Sequence, residues 1–578
     1  MKRLLLLLKP YKKRLVAVAA LDALGVIFAL LMPYVMSEIV DGGIAKENMR
    51  SIVIYSLVML LLALLSVGCS LLANKINSAI TTGYTKDLCY TTFERINSLS
   101  YAEYSKIGPS GLLTRATDDI FNIEGAASNI VYTLVTVPIM VIGAVALSFM
   151  KDAVLASIFL ISIPPVLLII LLLMRPLYSM WDRSDKYIDL QNRIVRERLS
   201  GIRVVRAFGN EKKEHKRAKF ATEEMAKYMI KANVRGDLIE PIAMLLFNLA
   251  TVAVVIFAGA RAEAGLARGA GDVIAIIQYF ALLSGALLNL SWSLAWMPRV
   301  RVSVKRMNEI FASSPERISD RAQEIDCADI RLRNLSFTYP DGREPVLKNL
   351  SLEIKEGDRV AIIGGTGSGK TTLVRLLCAL FTPTEGEILL GEKSYGELDL
   401  KSIRAVFSVA LQRASIFEGT VRDNVKMGNP DATDEEITQA LEDCQMKDFL
   451  LSHSEGLDYL LVGMGTNVSG GQKQRINLAR TALKKARVYI FDDSFSALDY
   501  LTEKTIRENL EKRIGGSTVI TVTQRASTAM AADLIYVMDG GKIVGKGTHK
   551  ELLGSSDIYR EICLTQLGKD ALGGKVND

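Results

Sequence analysis

Along the first half of the chain the apolar positions do not alternate with polar ones; they run on. Six stretches, roughly Leu15–Met36, Ile52–Ala73, Ile130–Met150, Ala153–Met174, Pro241–Ala260 and Val273–Ala295, are nearly free of charge. Each is about the 20 residues that a helix needs to cross the hydrocarbon of a bilayer. A helix that is apolar all round has no face for water, so these six predict membrane spans. The connections after the first, third and fifth spans are short, and those after the second and fourth are long. The long ones, most densely Trp181 to Arg235, are rich in Lys and Arg, as is Met1 to Arg14. The positive-inside rule puts these segments in the cytoplasm. Six spans then return the second half to the same side. The long connections hold few Gly or Pro and predict helices that leave the membrane. Twenty-five such residues would reach about 37 Å, with turns near Ile107–Gly111 and Phe208–Asn210 at the tips. The N-terminal Leu4–Leu8 run is too short for a signal-peptide core and predicts an interfacial helix.

After Phe311 the pattern changes. Residues 1–311 predict a transmembrane domain and 312–328 a polar linker beginning Ala312-Ser313-Ser314-Pro315. From 329 to 578, short apolar runs alternate with amphipathic ones, as an α/β domain requires. With 578 residues, two domains are the natural division.

The second half carries the chemistry. Gly364-Gly365-Thr366-Gly367-Ser368-Gly369-Lys370-Thr371-Thr372 fits G-x-x-x-x-G-K-[ST]. It follows the apolar run Val360 to Ile363 and opens a helical pattern, Thr372 to Leu380. Glycines let backbone N–H groups close round phosphate oxygens, and the helix N-terminus adds partial positive charge. Lys370 can reach the outer phosphates, and Thr371 offers a hydroxyl to magnesium. A second glycine turn, Ser469-Gly470-Gly471-Gln472, precedes the helical pattern Lys473 to Leu483. Taken alone it is a plain helix cap. Its place before the apolar run Val488 to Phe491 and Asp492 gives it more weight.

With these motifs in order the chain resembles the ATP-binding cassette (ABC) family, in its exporter branch, over nearly its whole length. The resemblance implies a six-helix transmembrane domain of the type IV exporter fold, followed by an α/β P-loop nucleotide-binding domain. Gly364 to Thr372 resembles the Walker A loop, and Asp492 closes Walker B. Gln412 resembles the Q-loop residue, Ser469 to Gln472 the signature, and Ser496-Ala497-Leu498-Asp499 the D-loop. Tyr339, in Phe337-Thr338-Tyr339-Pro340, resembles the aromatic that stacks on adenine. The implied cofactors are ATP and Mg2+, the metal being held by Thr371, Gln412 and, through water, Asp492. In this family two nucleotide-binding domains meet head to tail. Each ATP lies between the Walker motifs of one and the signature of the other.

Two positions depart from the family's pattern. Asp493 stands where the family has its catalytic glutamate, and Gln524 where it has its switch histidine. A side chain one methylene shorter leaves the carboxylate roughly 1.5 Å short of the attacking water, and misplacement of that size costs on the order of 100-fold. Glutamine still donates a hydrogen bond but carries neither proton nor charge. The Walker face should therefore bind ATP well and hydrolyse it poorly, while the intact signature serves another chain's ATP. That implies a heterodimer with a homologous half-transporter carrying the glutamate and the histidine. Two alternatives stay open: a slow homodimer, and an ATP-gated channel or regulatory membrane subunit. Before the signature, Val462-Gly463-Met464-Gly465-Thr466 also lacks the glutamate that exporters of this family often carry there.

Composition adds little to this. The net charge of +7 fits membrane topology, since no basic, aromatic-interleaved nucleic-acid motif accompanies it. The six cysteines lack metal spacing and read as free thiols of a reducing compartment. The polar residues within the spans, Asp22, Asn248, Gln278, Asn289 and Trp292, are the candidates for a cavity that takes a small amphiphilic molecule such as a drug, lipid or peptide. The expected location is the cytoplasmic membrane, multi-pass, with both termini cytoplasmic.

Overall fold

The computed structural model describes residues 4, 6–264, 269–316, 325–340 and 342–568, excepting the side chains of 130, 159, 170, 178, 288, 291, 292, 294, 295 and 298. Part of the expected linker, 317–324, lies outside the described residues. The chain forms two compact units: Met1–Asn97 with Ser110–Ser313, and Ser98–Pro109 with Ser314–Asp578.

The first unit is helical: α1 (Lys12–Glu38), α2 (Met49–Asn97), then, beyond the tip segment, α4 (Pro109–Ala116), α5 (Asp118–Val131), α6 (Val137–Lys151), α7 (Ala153–Ser200), α8 (Ile202–Ala207), α9 (Glu211–Asp237), α10 (Ile239–Glu263) and α11 (Ala270–Ala312). The tip between α2 and α4 is the short α3 (Tyr101–Ile107), which belongs to the second unit. Six helical stretches among the described residues are long and apolar enough to cross a membrane. Every one outruns its apolar stretch, as the scarcity of breakers predicts; α2 continues from the apolar run ending at Ala73 to Asn97. The core of this unit is the seam where α1, α6, α7, α10 and α11 meet, with Leu30, Phe247, Tyr279 and Phe280 buried in it. Tyr279 donates to the Leu30 carbonyl at 3.0 Å, so its hydroxyl is satisfied inside the apolar seam. At one end of the bundle the short loops are tied by charge. Lys151 lies 3.2 Å from both Glu38 and Asp272, and Arg261 pairs with Asp152 at 2.7 Å.

In the second unit, strands β1 (Ile330–Phe337), β2 (Leu347–Ile354), β3 (Arg359–Ile363), β4 (Glu385–Leu390), β5 (Lys393–Ser394) and β6 (Phe407–Ala410) come first. They are followed by β7 (Gly419–Thr420), β8 (Leu460–Leu461), β9 (Val488–Asp492), β10 (Thr518–Thr523), β11 (Leu534–Asp539) and β12 (Lys542–Gly547). The main sheet has the order β12-β11-β3-β10-β9-β6 and is parallel apart from β12. A second, antiparallel sheet has the order β2-β1-β4-β5. Strand β3 shows why its sequence is an unbroken apolar run: both faces are covered. Val360 and Ile362 pack into the cluster of Leu373, Leu376 and Leu377, whereas Ala361 and Ile363 pack with Ala526, Leu552 and Tyr559. The tip helix α3 joins the first of these clusters, with Tyr101 edge-on to Phe381 at 5.3 Å. The other tip, Phe208–Asn210, stays with the first unit and leaves Phe208 exposed.

Candidate functional site

Strands β3, β10 and β9 lie side by side and parallel, with Ile362 opposite Val522 and Val522 opposite Asp492. Three loops therefore leave the carboxyl ends of adjacent strands together, the place where open α/β sheets bind ligands. After β3 comes the glycine loop and then α12 (Lys370–Leu377). The helix begins two residues earlier than the sequence pattern suggested, so Lys370 itself is its first residue. Gly369 caps it in the left-handed conformation, φ +99°, where a Cβ would also strike Leu347 Cδ2 at 2.7 Å. Gly365 and Gly367 face open space.

Lys370 is buried and turns back on its own loop. Its Nζ donates to the carbonyls of Gly364 and Gly365 at 2.8 Å and to Ser368 Oγ at 3.2 Å. Burial lowers its pKa, and the nearby charges of Asp493 and Asp492 oppose that. Thr371 Oγ1 donates to Asp492 Oδ1 at 3.3 Å. The other oxygen of Asp492, Oδ2, is buried without a hydrogen-bond partner. Burial raises the pKa of this carboxyl, and Asp493 raises it further. A buried carboxylate oxygen left unpaired beside a threonine hydroxyl is costly in isolation. It is the donor set a hard divalent cation takes. The residues present thus fit magnesium, and Gln412 comes near through a different contact, donating to Asp493 Oδ2 at 3.2 Å.

Asp493 and Gln524 directly follow β9 and β10. Asp493 has φ +48° and holds its backbone to Val522 at 2.8 Å. Thr366 Oγ1 donates to Gln524 Oε1 at 3.1 Å, so glutamine at this position presents its carbonyl to the glycine loop. Tyr339 OH lies 3.0 Å from Thr372 Oγ1 and accepts from Arg375 at 3.0 Å, while its ring packs edge-on to Phe337 and Phe381.

The second glycine turn is built differently. Helix α13 (Gly470–Leu483) starts at Gly470, and Ser469 and Gln472 form a reciprocal capping box. Ser469 and Gly470 are exposed, and a Cβ on Gly470 would meet nothing. Behind it Gln474 accepts from the amide of Ala497 at 3.0 Å, joining this helix to the Ser496–Asp499 turn. Leu498 is buried there, and Asp499 caps the following helix, α14 (Tyr500–Arg513), through Thr502.

Several residues of this neighbourhood carried no signal in the sequence. Glu503 is buried and accepts from Arg525 at 2.7 Å and from Thr528 at 2.6 Å. Arg525 also donates to the Ser496 carbonyl at 3.0 Å, tying the two turns together. Gln566, on α15 (Asp557–Leu567), straddles Arg525: it donates to the Gln524 carbonyl at 2.7 Å and accepts from Ala526 N at 2.8 Å. Only proximity across the fold reveals these.

The polar residues of the spans differ in exposure. Asn248 and Asn289 are exposed, and Asp22 and Gln278 are half-buried. The side chain of Trp292 lies outside the described residues. A cavity of about 720 Å³ in the first unit is lined by other residues.

Residues 15–287 match the family model described as the ABC transporter transmembrane region, and 347–496 match the one described as ABC transporter. The chain is 34% identical over 575 residues to an uncharacterized ABC transporter ATP-binding protein of Mycobacterium tuberculosis (strain CDC 1551 / Oshkosh), covering 98% of each. It is 29% identical to an ATP-dependent lipid A-core flippase of Syntrophus aciditrophicus (strain SB), covering 100% of this chain and 96% of that one. Its fold is similar to that of a bacterial Atm1-family ABC exporter solved with ATP bound, with TM-score 0.81, 22% identity, and 98% and 99% of the two chains covered.

Proposed function

The chain belongs to the ABC transporter family, and from that premise we propose that it is the non-hydrolysing half of a heterodimeric exporter. One observation carries this reading: of the two departures from the family's pattern, Gln524 accepts from Thr366 of the glycine loop, and Asp493, next to Asp492, has its carboxylate engaged by Gln412. ATP with Mg2+ is held by the loop of Gly364–Thr372, by Lys370, Thr371 and Asp492, and by Gln412 and Tyr339. The metal offsets the buried charge of Asp492 and the phosphate charge. Asp493 holds its carboxylate on Gln412 instead of extending it toward an attacking water. Gln524 accepts from Thr366 and has no proton to cycle. ATP here binds and stays.

The other face supplies chemistry to the partner. Exposed Gly470 and half-buried Gly471 at the start of α13 offer their amides as an anion site for ATP held by a homologous chain with an intact glutamate and histidine. ATP draws the two domains together, hydrolysis at the partner's site releases them, and the membrane helices alternate between inward and outward access. The cargo is a small amphiphilic molecule, and both termini lie in the cytoplasm.

Purified alone in lipid nanodiscs, the chain should bind ATP and turn it over weakly; with its partner it should hydrolyse ATP and move cargo against a gradient. Robust magnesium-dependent hydrolysis by the lone chain would overturn the assignment in favour of a homodimer. Hydrolysis without uphill flux in the assembled pair would favour a channel or regulator.

A further inference from the structure

The first unit contains a cavity of about 720 Å³ that none of the sequence candidates lines. It is lined from α4–α5, α7 and α11, by residues just before the third apolar run and just after the fourth and sixth. Four aspartates line it, Asp118, Asp119, Asp182 and Asp185, against two arginines, Arg299 and Arg306, for a net charge of −2. That sign is opposite to the +7 of the whole chain. Two of the chain's three tryptophans, Trp181 and Trp296, line it, and the Arg299 guanidinium lies near both rings.

The Arg299 guanidinium already occupies the aromatic box. Its centre lies 5.6 Å from the Trp181 ring and 5.2 Å from the Trp296 ring, with Asp185 at 4.0 Å. Its side chain is still 47% exposed, so it is a displaceable occupant and not a buried strut. Deeper in, Asp119 is buried. Ser303 donates to its Oδ1 at 2.7 Å and Arg306 lies 3.6 Å away, yet its Oδ2 has no hydrogen-bond partner. A wall with a spare buried carboxylate oxygen, aromatic faces and a self-supplied cation has the chemistry of a cation site. The volume suits an organic ligand. The carboxylates are spread round the walls, and no cluster of His, Cys, Asp or Glu among the described residues converges as a bare metal ion would need.

We propose that this cavity binds an amphiphilic organic cation, stacked between Trp181 and Trp296 in place of Arg299 and neutralised by Asp118 and Asp185. The assignment rests on the export reading only in taking the bound cation to be cargo. Arg299 then sets the threshold: a ligand must out-compete a tethered guanidinium, which rejects weakly held or neutral molecules.

The test uses the full chain in nanodiscs, without ATP, and tetraphenylphosphonium as the probe. Tetraphenylborate, of the same shape and opposite charge, is the control, and empty nanodiscs correct for partition into lipid. Equilibrium dialysis gives the affinity, and quenching of tryptophan fluorescence reports the location. Saturable binding of the phosphonium and not the borate is expected. Asp118→Asn with Asp185→Asn should weaken it about tenfold, Trp181→Leu by about three- to tenfold, and Arg299→Ala should tighten it by about threefold. Arg299→Lys, which keeps a cation in the box, should stay near the unaltered chain. ATP binding by each variant verifies that it is folded. Equal binding of the two ions, indifference to the aspartate changes, or weaker binding in Arg299→Ala would each overturn the proposal. Because ATP is absent, binding that persists in a pair that fails to transport counts against the export reading alone. Transport that persists after binding is lost counts against this site alone.

Discussion

Two glycine turns of the second unit each open a helix, and they are finished in opposite ways. The turn after β3 is exposed at its tip, Gly365–Gly367, and buried at its base. A left-handed glycine with no side chain to satisfy the helix end caps it, and its buried lysine donates to the carbonyls of Gly364 and Gly365 and to Ser368. Beside it lies a carboxylate with an unpaired oxygen. The turn before α13 is exposed and satisfied by its own capping box, with open space above Gly470. The first gathers a buried ammonium and a buried carboxylate oxygen with no hydrogen-bond partner. The second has its helix-end donors met by its own side chains.

The largest expected effect tests the exposed turn. Gly470→Asp should cost little stability, since its Cβ meets nothing, yet should lower ATPase of the assembled complex by about 100-fold or more. Asp493→Asn measured alongside should change it less than about twofold, since that carboxylate is held on Gln412. Equal losses would mean that this chain's own glycine loop is catalytic.

The turn after β3 should respond through binding. Lys370→Ala removes the loop's own cation and should weaken ATP binding by about 30- to 100-fold, read by dialysis against labelled nucleotide. An unchanged affinity would show that the loop's backbone amides alone hold the phosphates.

Repair is the next step down. Asp493→Glu with Gln524→His should raise turnover at this site by about tenfold over either single change, measured with the partner's glutamate disabled. Asp493→Glu alone also places glutamate at φ +48°, a conformation that aspartate tolerates better. Substantial hydrolysis before any repair would falsify the claim that these two residues silence the site.

The smallest effect concerns Asp492. Its folded-state pKa lies above the unfolded value, so the ionised form costs stability above that pKa, and the cost disappears as pH falls through it. Asp492→Asn should therefore raise the apparent Tm of the nucleotide-free protein by about 2–4 °C at neutral pH while abolishing the magnesium dependence of ATP binding. Magnesium dependence in the unaltered chain should fade on acidification at a higher pH than an ordinary carboxylate's. A Tm that drops instead would show that the carboxylate is structural.

Much of this architecture was written in local patterns. Runs of about 20 apolar residues, and the G-x-x-x-x-G-K-T loop between an apolar strand and a helix, depend on near neighbours and on one solvent, so the sequence carries them whole. The positions of Asp493 and Gln524 were legible too, because a motif fixes their offset from Asp492 and from β10. What the sequence did not hold was contact between distant segments. Gln566 clamps the backbone on both sides of Arg525, Glu503 takes up Arg525 and Thr528, and Tyr101 of a membrane-side connection packs on Phe381. The polar residues of the spans do not line the cavity of about 720 Å³, and their places in the sequence could not tell that. A helix side chain's position in sequence gives its face but not what that face meets. The acidic, tryptophan-lined space is assembled from residues between Thr114 and Arg306 on separate helices, and only the packing of those helices decides that Trp181, Trp296 and Asp118 line one cavity.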